Sequence, residues 1–490
     1  MWALLVFYVF FPVFVYNRKW HWVSKPVQKK RKKIPYKPLT KERLEKYNDV
    51  DVVIIGGNIS GLVCAAALTR AGIRVLVLER KDAPGGSFRE EERGGYTFPN
   101  MNISGNLTTS KMLIDWLTES PLWWHRKDEP VMECKYENKT LKIMNSSKQT
   151  KDMMKETFTN EDAQGRFWYH VNRYSNSNKD VFESLKLYHM PQAFREVLQE
   201  WFAPDYVYYN KLTVEALIAD CGFDENSKIP QCFECIQRKD QSAAELLDFF
   251  MRTVGGNYLP KNGVNSIIHE LCQTIRTKGG YILTEASVEN VDPKMGNIKV
   301  NGTEYCFSGK IVSAVSLSKT FTLLGREAPL IHKKSNYYRV LVAFKLGAEI
   351  EAKDRIINFK GNAYKFFYGK DKDMRTLCIE YETDDDTQDE EKNYAASQLA
   401  LEIGDIDNEK IEWINVQFCE CDKMKNDEAK MYRACKPTTK YKNLYITGMD
   451  MIHTDSLESA VRSGYITANA VTNYGTFIDI LTGNELIRNV

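Results

Sequence analysis

Three glycines and one acid form the most chemically specific pattern in the chain: Gly56, Gly57 and Gly61 in one turn, with Glu79 farther on. Glycines so spaced let backbone N–H groups approach a phosphate. A helix that starts there turns its unpaired amides and positive dipole end toward the anion. An acid at the end of the next strand can accept hydrogen bonds from ribose hydroxyls. The chemistry this implies is binding of a dinucleotide by its pyrophosphate and adenosine ribose. The usual spacing is G-x-G-x-x-G, and here the second glycine is Asn58. A side chain there intrudes on the phosphate's space, although asparagine tolerates positive φ better than most residues and can donate a hydrogen bond.

The surrounding residues supply the elements that would position this turn. An apolar strand, Val52–Ile55, enters it and a small-residue helix, Leu62–Arg70, leaves it. Gly72 then ends the helix, and a second apolar strand, Val75–Leu78, delivers Glu79. Strand, glycines, helix, strand and acid in that order make a βαβ unit, far more specific than a glycine pattern alone. Strand and helix signals resume after Leu259: an amphipathic helix at Ser266–Lys278, then strands at Tyr281–Thr284, Val288–Val291, Ile298–Val300 and Ile311–Val315. A last block reads as a strand from Tyr441 ending in Gly448, a loop, and a small-residue helix through Ser456–Ala470.

Between these blocks lie two stretches of different character. One is helical and aromatic, with Trp116, Trp123, Trp124, Trp168, Trp201 and Tyr206. The other contains the acidic run Asp384–Glu391, read as a solvated loop. The expected organisation is a nucleotide-binding domain in three parts, 49–105, 254–326 and 439–475. A cap or substrate domain is inserted as 106–253 and 327–438, and a tail follows at 476–490. The fold class is α/β: a Rossmann-like domain carrying an inserted α+β cap.

The N-terminus adds a membrane signal. Trp2–Tyr16 carries no charge, and as a helix it would span only ~22 Å against a hydrocarbon core of about 30 Å. Arg18 and Lys19 can snorkel, and Trp20 and Trp22 suit the interface. The expected layout is a membrane anchor at 1–17 and a basic tether at 18–48. Eight Lys and Arg between Arg18 and Lys33 would keep the globular body cytosolic, with the endoplasmic reticulum as the expected membrane.

Bulk composition narrows the function classes. A net charge of +2 gives no global attraction to nucleic acid, and none is expected as a partner. Eleven cysteines without framework spacing read as free thiols, and the isolated pair Cys232 and Cys235 lacks the second pair that zinc needs, so it reads as an ordinary loop. No metal site is expected.

Three separated blocks together resemble the flavoprotein superfamily of amine oxidases, phytoene desaturases, carotenoid isomerases and retinol saturases. The first, about 50–98, includes Glu79-Arg80 and the doublet Gly85-Gly86. The second, about 259–321, is similar to the family's helix and paired strands. The third, about 441–471, is similar to its terminal pattern around Gly448, Asp450 and Leu457–Gly464. The Thr447–Asp450 form and the N-terminal anchor look closest to the retinol-saturase branch.

This resemblance implies FAD as cofactor. Gly56, Gly57, Asn58 and Gly61 would face the pyrophosphate, and Glu79, with Arg80 beside it, the adenosine ribose. Gly85 and Gly86 would let the chain pass under the cofactor, and Val288 would use its backbone on the adenine. Gly448 and Asp450 would hold the ribityl–phosphate region. The helix starting near Leu457 would aim its N–H groups at the flavin.

The activity implied is hydride transfer between flavin and an apolar, isoprenoid- or lipid-like substrate, of desaturase, saturase or amine-oxidase type. The flavin carries that chemistry, and the residues single out no catalytic base. His453 lies in the loop expected near the flavin ring, and Lys345 is a lysine that could reach a flavin-bound water.

Four cofactor-facing positions depart from the family's pattern: Asn58, Ser87, the stretch Phe98-Pro99-Asn100-Met101, and Ser459. They leave open a scaffold or interaction protein, with protein partners, that keeps the fold and has weakened or lost FAD. A plain NAD-binding protein is a third reading. It gives the C-terminal block no purpose.

Overall fold

The computed structural model describes residues 35–472, apart from 48, 100–107, 120–121, 127–129, 131, 177–196, 198–199, 202–203, 224–227, 238, 240–241, 255–257, 261–262, 328–331, 351–353, 360–361, 372–373, 384–388, 425–436, 440, 442 and 449–456. The segment Trp2–Tyr16, read above as a membrane anchor, lies outside the described residues, as do Asn100, Met101, Asp450 and His453. Among the described residues no helix is long and apolar enough to cross a membrane.

Two bodies share the chain. In the first, six described strands form an all-parallel sheet: β1 (Lys37–Pro38), β2 (Val52–Ile55), β3 (Val75–Leu78), β4 (Tyr281–Thr284), β5 (Lys310–Ser313) and β6 (Leu444–Ile446). Their order across the sheet is β1-β4-β3-β2-β5-β6, with β2 at the switch between chain directions. Val52, Val53, Ile54 and Ile55 are all buried because a parallel strand has cover on both faces. Side chains alternate between those faces. Val52, Ile54, Val75, Val77 and Val312 pack under helices α1 (Ile59–Arg70), α2 (Asn265–Thr277) and α3 (Leu457–Val471). Val53, Ile55, Leu76, Leu78 and Ile311 pack instead on an antiparallel three-stranded meander, Val288–Asp292, Asn297–Val300 and Thr303–Cys306. The helix Thr108–Leu117 joins the α1–α3 side through Leu113, Ile114 and Leu117, so this aromatic stretch starts on the nucleotide-binding body.

The second body is a seven-stranded sheet covered by helices. Its order is Ile411–Met424, His332–Phe344, Met374–Thr383, Asn362–Asp371, Arg355–Phe359, Met132–Tyr136 and Lys139–Ile143. Neighbours are antiparallel except Arg355–Phe359 with Met132–Tyr136, where the two inserted stretches meet in parallel. One cluster of helices, including Glu161–Ser175 and Ala243–Val254, buries Phe167, Phe233 and Phe250 over the Met132–Ile143 hairpin.

Two local readings are corrected. Asp389 N-caps the helix Glu390–Ile403 by accepting from the Lys392 N–H at 2.7 Å. The end of the acidic run is therefore a helix start, where carboxylates complement the dipole, and not a loop. Cys232 and Cys235 lie within helix Ile229–Ile236, where Cys232 is buried as a small apolar residue.

Candidate functional site

The glycine turn at the end of β2 is built by a few short contacts. Gly56, at φ 105°, turns the chain while its N–H donates to the Leu78 carbonyl at 2.8 Å. Gly57 follows, and its N–H donates to Glu79 Oε2 at 2.7 Å. The other oxygen of Glu79, Oε1, accepts from the Lys81 N–H at 2.8 Å. Glu79 is 8 % exposed, so the acid lies against the turn with its oxygens fixed by backbone donors. The Gly85 N–H donates to the Gly57 carbonyl at 2.7 Å, which brings the second glycine pair onto the first. Turn, acid and doublet are thus one unit.

Asn58 is the N-cap of α1 at φ −72°, so its backbone has no need of the left-handed region. The side chain turns inward. Oδ1 accepts from the Gly61 N–H at 2.9 Å and Nδ2 donates to the Ala314 carbonyl at 2.5 Å. The amides of Ile59 and Ser60 belong to the first turn and have no partner within the helix. Close packing explains the glycines around it. A Cβ on Gly61 would lie 2.2 Å from the Gly56 carbonyl oxygen, and one on Gly464 would lie 2.3 Å from the Ser60 oxygen. Helix α3 therefore crosses α1 at backbone contact.

Gly448, at φ 149°, closes the cradle from the β6 side, with open space where a Cβ would be. Its N–H donates to Ser463 Oγ at 2.8 Å, and Ser463 Oγ also meets Thr447 Oγ1 at 2.9 Å. This serine bridge from β6 to α3 was missed in the sequence, where it reads only as one more small residue. Leu457 begins α3 and is 2 % exposed. The next residue, the buried Glu458, accepts from Arg462 Nε, one turn on, at 2.8 Å.

Val288 starts the meander just after Ala286, whose N–H donates to the Glu79 carbonyl at 2.8 Å, so it lies at the acid's end of the sheet. Arg80 and Ser87 are exposed. Lys345 is not brought to the site. It is exposed past the end of its strand, with Nζ donating to the Glu409 carbonyl at 2.6 Å.

These residues fit a dinucleotide cofactor. Buried Glu79 is bonded to the glycine turn, the Ile59 and Ser60 amides at the start of α1 have no partner inside the helix, and Gly448 has open space where a Cβ would be. Among the described residues no group of three or more His, Cys, Asp and Glu could hold a metal.

A charged node marks the seven-stranded sheet. Arg339 Nη2 lies 2.7 Å from Glu380 and Nη1 3.5 Å from Glu91, whose Oε1 also accepts from Gln417 at 2.9 Å. Glu91 belongs to the hairpin Glu91–Phe98, which lies on this sheet and stacks Phe98 on Trp413. No local signal in the sequence could reveal it, because its members meet only through long-range pairing. In the cap, His170 Nδ1 lies 2.7 Å from the Tyr209 hydroxyl and Nε2 3.2 Å from Asp220. Burial pushes the Tyr209 hydroxyl up to about 12 and holds His170 below its ordinary value, with Asp220 opposing and Arg173 adding to that lowering.

Residues 54–102 match a family described as an NAD(P)-binding Rossmann-like domain. The all-trans-retinol 13,14-reductase of Danio rerio is 25 % identical over 271 residues, which are 50 % of this chain and 42 % of that protein. The flavin-containing amine oxidase A of Sus scrofa is 48 % identical over 66 residues, 13 % of this chain and 11 % of that protein. Together these similarities support a resemblance to the FAD-dependent amine oxidase and desaturase superfamily. A triple mutant of putrescine oxidase aligns over 86 % of this chain and 99 % of its own with a TM-score of 0.59 and 14 % identity, so the two share a fold across both bodies. The chain spans less than half the length of the retinol reductase it matches, 42 %.

Proposed function

We propose that this chain is an FAD-dependent oxidoreductase acting on an apolar, isoprenoid- or lipid-like substrate, of desaturase, saturase or amine-oxidase type. The observation that carries this is the preformed cradle in which the Gly57 N–H meets Glu79 at 2.7 Å and Gly85 is clamped to the Gly57 carbonyl. The roles assigned to its residues are those that the family resemblance implies. Gly56, Gly57, Asn58 and Gly61 line the pyrophosphate, with the Ile59 and Ser60 amides as donors. Glu79 accepts from the adenosine ribose, with Arg80 beside it, and the Val288 backbone meets the adenine. Gly85 and Gly86 let the chain pass beneath. Gly448 and Asp450 hold the linking region, and the α3 amides at Leu457 present their positive end to the ring system.

When bound, a flavin supplies the capacity to accept or donate hydride. The polypeptide binds and orients it, and the cap shields the reacting carbon from water. The charged node of Arg339, Glu91 and Glu380 pairs its own members and so keeps their charges from an apolar ligand. The segment Trp2–Tyr16 is assigned as the membrane anchor, tethered by 18–48, with a cytosolic body at the endoplasmic reticulum. An apolar substrate would then enter from the bilayer.

The full chain purified in detergent is expected to be yellow, to release FAD on denaturation, and to melt higher when FAD is added. A colourless protein that neither binds added FAD nor gains melting temperature would sink the enzyme reading. A scaffold that kept only the fold would then be the better account. Stabilisation by NAD in place of FAD would favour the plain nucleotide-binding reading.

A further inference from the structure

The amide of Asn58 occupies one of the first-turn donors of α1. Its Oδ1 takes the Gly61 N–H at 2.9 Å and its Nδ2 holds the Ala314 carbonyl at 2.5 Å, so it ties the first turn of α1 to the chain leaving β5. The backbone is fixed as well. Asn58 bridges to Gly85 in parallel register, and a Cβ on Gly86 would come within 2.6 Å of the Asn58 Cβ. First-turn amides attract anions because they lack partners inside the helix. At α1 one of them already has an acceptor.

We propose that Asn58 is a positioning residue that stands in for the cofactor's phosphate: it caps α1, holds the cradle closed without ligand, and thereby lowers the affinity of the site for dinucleotide. This rests on the flavin reading above and gives Asn58 a role of opposite sign to that of its glycine neighbours. Two effects of one substitution follow. Removing the side chain frees the Gly61 amide for the anion, and it also loosens the protein that holds no cofactor. An asparagine with only a structural duty would produce the second effect without the first.

The test compares the full chain with Asn58→Gly and Asn58→Ser, reading FAD affinity by fluorescence titration and melting temperature after the cofactor is stripped. Asn58→Gly is expected to bind FAD about tenfold more tightly. Stripped of cofactor, it is expected to melt below the parent, because the cap and the Ala314 bond are gone. Serine keeps an acceptor for Gly61 but is too short for Ala314, so Asn58→Ser should stay within about threefold of the parent affinity while also melting lower. Unchanged or weaker binding by Asn58→Gly, beside a parent that binds FAD, overturns the role of Asn58 and leaves the flavin reading intact. Equal tightening in both variants also overturns it, since the capped amide would not be the cause. Binding by neither the parent nor Asn58→Gly overturns this role and the flavin reading together.

Discussion

Glu79 is fixed by two backbone donors, Gly57 and Lys81, in a site 8 % exposed to solvent. Glutamine keeps one acceptor oxygen and turns its NH2 on the other donor, leaving a buried N–H unpaired. Glu79→Gln is therefore expected to cost about 1–3 kcal/mol of stability, read as a lower urea midpoint without cofactor. It should also weaken FAD binding. His170 makes a second residue-scale case. Asp220 can only accept, so the Nε2–H donates to it and Nδ1 accepts from the Tyr209 hydroxyl. Burial holds the folded imidazole below its ordinary value of 6.5, so below that pH the unfolded chain takes up the proton first. The unfolded state then binds more protons, and stability falls as pH drops from 6.5 toward the folded value. Urea midpoints at pH 7.5 and 5.5 should diverge more in the parent than in His170→Gln. An equal pH dependence in the two proteins would rule this residue out as the source.

Helices α1 and α3 cross so closely that Gly464 can carry no side chain: its Cβ would lie 2.3 Å from the Ser60 carbonyl oxygen and 2.9 Å from Val63 Cβ. Gly464→Ala is expected to destabilise by about 1–3 kcal/mol through forced separation of the helices, and to weaken FAD binding because α3 and α1 face the same cradle. Gly165, exposed in the middle of helix Glu161–Ser175, has nothing within 4 Å of its Cβ. Gly165→Ala should raise stability by about 0.5–1 kcal/mol. Thermal melts of the two variants side by side check both signs.

Legibility follows the same division between elements. β2, α1 and β3 could be read because their signals are local: buried strands as apolar runs, a turn as glycines, an acid at the strand end. The helix after Asp389 was misread because a charge run looks alike as a loop or as a capped first turn. The seven-stranded sheet was not legible as one object. Its partners are distant, and nothing near Met132–Tyr136 announces a parallel neighbour at Arg355–Phe359. At the site, Gly57, Gly61 and Glu79 could be named from type and spacing, and Gly85 from the family resemblance. The inward turn of Asn58 depends on Ala314, which lies 256 residues farther along the chain, just after a strand.

On the scale of the whole molecule, the parallel sheet is assembled out of chain order. β2 lies between β3, made soon after it, and β5, Lys310–Ser313, while β6 joins only at Leu444–Ile446. A ribosome making this chain at ~5–20 residues per second leaves the open edge of β2 without its neighbour for roughly ten to fifty seconds. Through that time a bare apolar strand is available to wrong partners. Chaperone supply should therefore govern the soluble yield of the intact chain more than its final stability does. A truncation before residue 440, lacking both β6 and α3, should collect in inclusion bodies even with chaperones in excess, because the missing cover never arrives.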